Sequence, residues 1–419
     1  MNITTFTAFR SRNYRLYFMG QSVSLLGTWM QKTAVSWVVY DLTKSKWMLG
    51  VSLFATMFPS FVFSFAGGVA ADRYDRYKLL LLTQFVSMLQ ALALTALVFF
   101  RAYTVWEILG LSVVLGIVNA FDVPARQSLV YEMVDDKKDL PNALALNSSM
   151  VNLSRLIGPG IAGLAMEYLG TDVCFGINAA SFIAVIGSLL MMKLPKREIT
   201  LRNKGGLGQL KEGFAYIKAT PAIATVLLIL ALNSLFVLPF ATLIPVYAKD
   251  IFHGTASTFG VIDSAIGAGA ICGGLYLASL KPGHDMRRIM AVDSMIFGVG
   301  LVLFSHTTIY FLALAFAVIA AFGMMGQVTT GNTIIQTTVS PEMRGRVISF
   351  YAMAFFGLQP VGGLIIGFLS QYVGVENTVL GEGIISLIIG YTYFHFIRKQ
   401  TATERPQQPA VKSSSKSIL

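Results

Sequence analysis

Three ionisable side chains lie deep within apolar sequence: Lys32, Arg155 and Asp263. A charge in such surroundings requires a partner or a watery cavity. Desolvation suits a carboxylate to carrying a proton, so Asp263 is a candidate proton-coupling group. It is equally a candidate ion-pair partner for Lys32 or Arg155. The two cations suit an anionic group on a ligand, with a structural ion pair as the plain alternative. Gln31, Asn119, Asn233 and Gln327 are polar groups at similar depth. They are candidates to line the same space, or to join helices by hydrogen bonds. Asp122 and Arg126 are four residues apart and share a helix face near the end of an apolar run. Asp293 is expected to be shallow, and Asp41, Glu107 and Glu382 to be solvated.

Other chemistries are missing. The histidines His253, His284, His306 and His395 are scattered, and Cys174 and Cys272 have no ligand spacing. There is no Ser-His-Asp set, HExxH helix or phosphate-binding Gly-rich loop, so neither an enzyme, a cofactor nor a metal site is expected.

The elements that position these groups follow from composition. Of 419 residues, 55% are hydrophobic and only 13% charged. So little charge cannot cover a soluble protein of this size, so lipid must be much of the solvent. Twelve apolar windows are long enough to span a bilayer: 16–40, 49–71, 79–100, 105–125, 142–166, 173–194, 223–247, 258–280, 289–305, 309–335, 347–372 and 379–397. Those starting at 289 and 379 are the shortest, so the count rests most heavily on them. The fold class is an all-α polytopic membrane protein of two six-helix bundles. The expected division is 1–194, a linker 195–221, a second bundle 222–398 and a disordered tail 399–419.

Net charge is +11, and its placement matters more than its size. Twenty-six lysines and arginines fall on the side of the termini, whereas only Lys44, Lys46, Arg101 and Lys249 fall on the other. Basic loops stay cytoplasmic, which puts both termini inside the cell and the protein in the cytoplasmic (inner) membrane. The excess is a topology signal and does not point to nucleic acid. The N-terminus reads as a signal anchor rather than a cleavable leader. Within the linker, 210–219 has the pattern of an amphipathic surface helix. The halves resemble each other at an offset of about 204 residues: Ile161 to Gly170 aligns with Ile365 to Gly374.

Two motifs carry a family resemblance. After the second span the chain reads Gly68-Val69-Ala70-Ala71-Asp72-Arg73-Tyr74-Asp75-Arg76-Tyr77-Lys78. It resembles the major facilitator signature G-x-x-x-D-R-x-G-R-[KR], with Asp75 in place of the usual glycine. Gly68 is expected to allow close helix approach, and an Asx-type bond from Asp75 to hold the turn. In the fifth span, Gly158-Pro159-Gly160-Ile161-Ala162-Gly163 resembles the antiporter pattern G-P-x-x-G-G, with Ala162 for one glycine. Gly158, Pro159 and Gly163 are its matching positions. The segments 9–16, 124–129, 210–214 and 343–347 are similar to the enterobactin-exporter and macrolide-efflux branch.

The resemblance implies twelve helices and alternating access, with a latch at Gly68, Asp72, Arg73 and Arg76, to which Asp122 and Arg126 are assigned. It implies export of a small amphiphilic compound, such as a siderophore or drug, in exchange for protons. A lipid or lysolipid transporter of the same fold is the alternative. Bilayer, substrate and protons are the expected partners, and a monomer the expected state.

Overall fold

The structure, a computed structural model, describes residues 4–101, 103–194, 206–281 and 283–403. All of its regular structure is helical. The helices are α1 (Arg12–Thr43), α2 (Lys46–Arg73), α3 (Arg76–Phe99), α4 (Val105–Met133), α5 (Leu140–Tyr168), α6 (Thr171–Leu190), α7 (Gly206–Ala219), α8 (Pro221–Phe236), a short α9 (Ile244–Val246), α10 (Ala256–Ser279), α11 (Met286–Ser305), α12 (Tyr310–Thr338), α13 (Pro341–Val373) and α14 (Val375–Thr403). Each predicted window falls on a helix. The seventh covers α8, α9 and the irregular turns around them. Pro239 and Pro245 deprive that stretch of backbone donors, and it passes through 3-10 and π turns instead of one straight helix.

Among the described residues, ten helices are long and apolar enough to cross a membrane. The two long helices that fall short are not those with the shortest windows. They are α1 and α5, long enough but rich in polar groups such as Gln21, Gln31, Lys32, Asn152 and Arg155. A helix that lines water can keep such groups, whereas one facing lipid cannot.

Short polar contacts fix the ends. The 3-10 turn Thr4–Arg10 leads into α1, and the chain beside it is tied down by Asn13, which bonds to the Lys193 backbone in both directions. The Tyr14 hydroxyl donates to the Ala143 carbonyl oxygen at 2.7 Å. Helix α7 is the amphipathic segment of the linker and docks on α13 through Glu212 to Arg346 (2.6 Å) and Phe214 on Phe350. The rest of the linker, 195–205, and the tail 404–419 lie outside the described residues.

Each half holds a buried polar network. In the first, Gln31 of α1 donates to Gln90 of α3 (3.0 Å) and accepts from Asn178 of α6 (2.8 Å). In the second, Ser386 of α14 donates to Asn233 of α8 and to the Ser294 carbonyl of α11, while the Ser294 hydroxyl donates to Gln327 of α12. The first network joins the first, third and sixth spans of its half, and the second joins the same three spans of its own half with α12 added. The repeat thus reappears as two equivalent sets of helix-joining hydrogen bonds.

The helices before and after α7 meet closely only toward the face away from the termini. There α2 and α13 touch backbone to backbone at Gly50 and Gly363. Lys46 donates to the Ser370 carbonyl (3.1 Å) and Gln371 to Ser45 (2.7 Å). Asp41 pairs with Lys249 and Tyr40 with Asp250. Thr255 donates to Glu167 at 2.6 Å, and Trp37 stacks on Phe259. Toward the terminal face the same helices part. Phe61 against Gly357 is the last α2–α13 approach of this kind, and Val62, Phe63 and Phe65 beyond it are exposed, as are Met353 and Phe356. The molecule is therefore closed at one face and open at the face of the termini.

Candidate functional site

Lys32, Arg155 and Asp263 converge from three helices on one space between the halves. Lys32 Nζ lies 4.6 Å from the centre of the Trp29 ring, and Arg155 Cζ lies 5.9 Å from the same centre. Asp263 interacts electrostatically with both cations and accepts a hydrogen bond from Thr33 at 3.3 Å. Lys32 is accessible although it stands about 16 Å from the end of α1, at 1.5 Å per residue. Its neighbours come from α5 and α10, so the space it meets is the interior of the molecule, not lipid. Among the described residues, neither Lys32 nor Arg155 has a hydrogen-bonded acceptor or an ion-pair partner. The site thus presents an indole flanked by two cations that share one carboxylate, Asp263, at more than ion-pair distance. Such a set can hold an aromatic or planar group together with an anion.

The glycines and proline of the α5 motif build this site's wall. A Cβ on Gly158 would lie 2.6 Å from Trp29 Cβ, so the missing side chain is what lets α1 bring its indole against α5. A Cβ on Gly163 would lie 2.7 Å from the Ala256 carbonyl oxygen and 2.9 Å from Ser257 Cα, on α10. Pro159 is buried, and its carbonyl faces Gly260. The motif is the seam along which the two halves touch beside the charged cluster.

The other sequence candidates are placed elsewhere. Gln31 is buried in the first-half network and turned from the cluster. Asn233 and Gln327 are 0% and 1% exposed inside the second half, where they bond to helix neighbours. Asn119 lines a polar cavity inside the first half with Gln21, Gln84, Asp122 and Arg126. Gln31 lines that same cavity, so none of the four positions lies beside Lys32, Arg155 and Asp263. Trp29 and Thr33 were missed as site members. The cue was spacing, since Trp29 precedes Lys32 by three residues and so shares its helix face.

At the loop after α2, Asp75 caps α3 and accepts from the backbone N–H groups of Tyr77 (3.0 Å) and Lys78 (3.3 Å), the Asx-type bond expected. Arg76 donates to the Ala71 carbonyl and pairs with Glu132 of α4 at 2.8 Å and with Asp72 at 3.6 Å. The Asp72 side chain is 75% exposed and Arg73 is exposed, so this loop is disengaged from the second half. No other part of the chain lies within 4 Å of where a Cβ on Gly68 would be. The close approach to α4 is made by Gly67, packed against the Ala120 carbonyl. Asp122 and Arg126 pair at 3.1 Å, and Asp122 accepts from Thr83 (3.0 Å) and Gln84 (2.6 Å) of α3. They form an internal α3–α4 tie, and the residue of α4 that Arg76 of the loop pairs with is Glu132.

Two carboxylates depart from expectation more sharply. Asp293 is 2% exposed and Glu382 1% exposed, so Glu382 is not solvated, and Asp293, though near the start of α11, is enclosed by its neighbours. Both Glu382 oxygens and Asp293 Oδ2 are buried without a hydrogen-bond partner. Asp41 lies past the end of the first predicted window, where partial burial opposes ionisation. Its bonds from Lys249 and Lys44 outweigh this and hold the carboxyl below the ordinary value of 3.8.

Comparison with known proteins agrees with this architecture. A family model described as transmembrane secretion effector matches residues 3–417. The staphyloferrin A transporter of Staphylococcus aureus is 27% identical over 390 residues, covering 91% of this chain and 96% of that protein. Macrolide efflux protein A of Streptococcus pyogenes is 22% identical over 387 residues, with 90% and 95% covered. The enterobactin exporter EntS of Shigella flexneri is 25% identical over 382 residues, with 90% of each covered. Among solved structures, the nucleoside transporter NupG superposes with a TM-score of 0.73 at 10% identity, covering 92% of this chain and 99% of that one. An inward-facing bacterial homologue of the lysosomal transporter Spinster gives 0.73 at 15% identity, with 94% and 98% covered.

Proposed function

Because this chain belongs to the transmembrane secretion effector family, within the major facilitator superfamily, we propose that it exports a small amphiphilic compound by alternating access. It is a multi-pass membrane transporter and not an enzyme. The observation that carries the reading is the convergence of Trp29, Lys32, Arg155 and Asp263 between the two halves. The compound enters from the open terminal face, rests against Trp29 and the two cations, and leaves when the opposite face opens. Export is favoured by the relatives' printed names, two of the three being an efflux protein and an exporter. The cytoplasmic membrane, with both termini inside, is favoured by the distribution of lysine and arginine.

In this reading the bundles are 1–194 and 222–398, joined by the linker that contains α7. The free loop at Asp72–Arg76 belongs to the conformation open to the cytoplasm. Its engagement with the second half belongs to the outward-facing one. Asp263 carries a proton during the cycle, since it is the carboxylate beside the pocket's cations.

The test is expression in cells stripped of their own exporters, with intracellular accumulation of a panel of siderophores and drugs as the readout. The wild type lowers accumulation of at least one compound, and Arg155→Gln abolishes that effect at equal membrane expression. Arg155→Gln protecting as well as the wild type would remove the pocket from the pathway.

A further inference from the structure

We infer that the transported compound carries two or more anionic groups, carboxylate or phosphate, and that a proton enters the pocket together with it, so the pair moves outward with the membrane potential. The inference deepens the export reading above and rests on it.

Lys32 and Arg155 supply two positive charges around one indole, and Asp263 supplies one negative charge. Neither cation is spent on an ion pair or hydrogen bond among the described residues. The other charged group of α5, Glu167, is at the closed face, where it accepts from Thr255. Helix α12, packed on the far side of α10, contains no charged residue. Lys249 and Asp250, on the turn between α9 and α10, are engaged with Asp41 and Tyr40 at the closed face. The pocket is therefore a net cation with an aromatic floor. One anionic group answers the excess charge, and a second answers the cation left when Asp263 is neutral. The two cationic centres are no further apart than their two distances to the Trp29 ring laid end to end, a span that one small polyanion can bridge.

An anion placed beside Lys32 and Arg155 competes with the Asp263 carboxylate for them, and it also repels that carboxylate. Both effects favour the protonated form of Asp263. Binding linkage is reciprocal, so the proton promotes anion binding by the factor with which the anion promotes proton binding. A cationic compound would do the opposite, competing with the proton as an antiporter's substrate must. The pocket as built thus disfavours exchange of an anion against a proton. It favours departure of the two together, with net negative charge leaving a cell whose interior is negative.

The experiment uses the full-length protein in detergent and in liposomes, with three probes: benzene-1,3,5-tricarboxylate, its trimethyl ester and tetraphenylphosphonium. Calorimetry in buffers of different ionisation enthalpy gives the protons taken up per ligand bound. The tricarboxylate is expected to bind more tightly than the ester by about tenfold or more, with proton uptake. Lys32→Gln and Arg155→Gln each weaken it about tenfold without weakening the ester, and Asp263→Asn binds it without proton uptake. In liposomes, a potassium-diffusion potential, negative on the terminal side, drives the tricarboxylate toward the other side, and reversing the potential reverses the flux. Proton release on binding, tighter binding of the ester or the phosphonium, or failure of all three probes to bind would overturn the inference. Transport of the phosphonium against protons would refute it and leave the export reading standing. Tight tricarboxylate binding with proton uptake but no flux would refute the export reading instead.

Discussion

The seam at Gly163 allows the sharpest test of how the two halves move. In the observed conformation an alanine Cβ there would lie 2.7 Å from the Ala256 carbonyl oxygen, 2.9 Å from Ser257 Cα and 3.1 Å from Gly260 Cα. All three are backbone atoms of α10, so no side-chain rotation relieves the clash. Overpacking of this kind costs about 1–3 kcal/mol. The contact lies between the halves, so the strain falls on the conformation closed at this face and is relieved when the face opens. The equilibrium therefore shifts about 5- to 150-fold toward the open-outside state. The assay is labelling of a cysteine at Ser36, one turn above Lys32, by a membrane-impermeant maleimide added outside intact cells. Exposed Cys272 is replaced by serine first, while buried Cys174 is left in place. Gly163→Ala should raise the labelling rate severalfold. Unchanged labelling with a lowered unfolding temperature would refute the reasoning, because the seam would then be static packing.

Other expectations follow from the same structure. Gly67→Ala should lower stability by about 1–3 kcal/mol, because its Cβ meets the Ala120 backbone within one half. Gly68→Ala should leave thermal unfolding unchanged, since space is open there; the two melting curves decide it. Glu382→Leu should leave the melting temperature equal or higher, because it removes two buried oxygens that have no partner. A clear fall would reveal a partner for Glu382. The Asp41–Lys249 tie should weaken in acid. A carboxyl held below 3.8 contributes fully above that value and loses its effect as pH falls through the depressed one. Asp41→Asn, which reproduces the protonated state, should accordingly raise outside labelling at Ser36→Cys at neutral pH, and unchanged labelling would show that the tie does not hold this face closed.

The helical architecture was legible because apolar length is a direct physical demand of the bilayer, and every window found its helix. The basic loops and the Asp75 cap were legible for equally local reasons. Depth was not: α1 and α5 read as ordinary spans, although their polar content marks them as the helices beside water. The orientation of side chains inside the bundles was the larger gap. Asn119, Asn233, Gln31 and Gln327 are polar and mid-helix, just as Lys32 is, yet they turn toward neighbours of their own half. Only packing decides which face of a helix meets the pocket. Glu382 misled for the opposite reason. It is close to a helix end in sequence, but α14 buries that turn against its neighbours. Gly67 and Gly68 differ by one residue and by a hundred degrees around α2, which no motif match resolves.

Asp263 is the carboxylate beside the pocket's cations, so the most direct measurement is the pH dependence of transport by Asp263→Asn in liposomes. The compound used is one that the wild type expels from cells, and its uptake is followed by exchange and under an imposed pH gradient. Exchange is expected to continue at a rate comparable to the wild type while the response to pH disappears. A variant that keeps the wild-type response to pH would contradict this, because the proton would then be carried elsewhere.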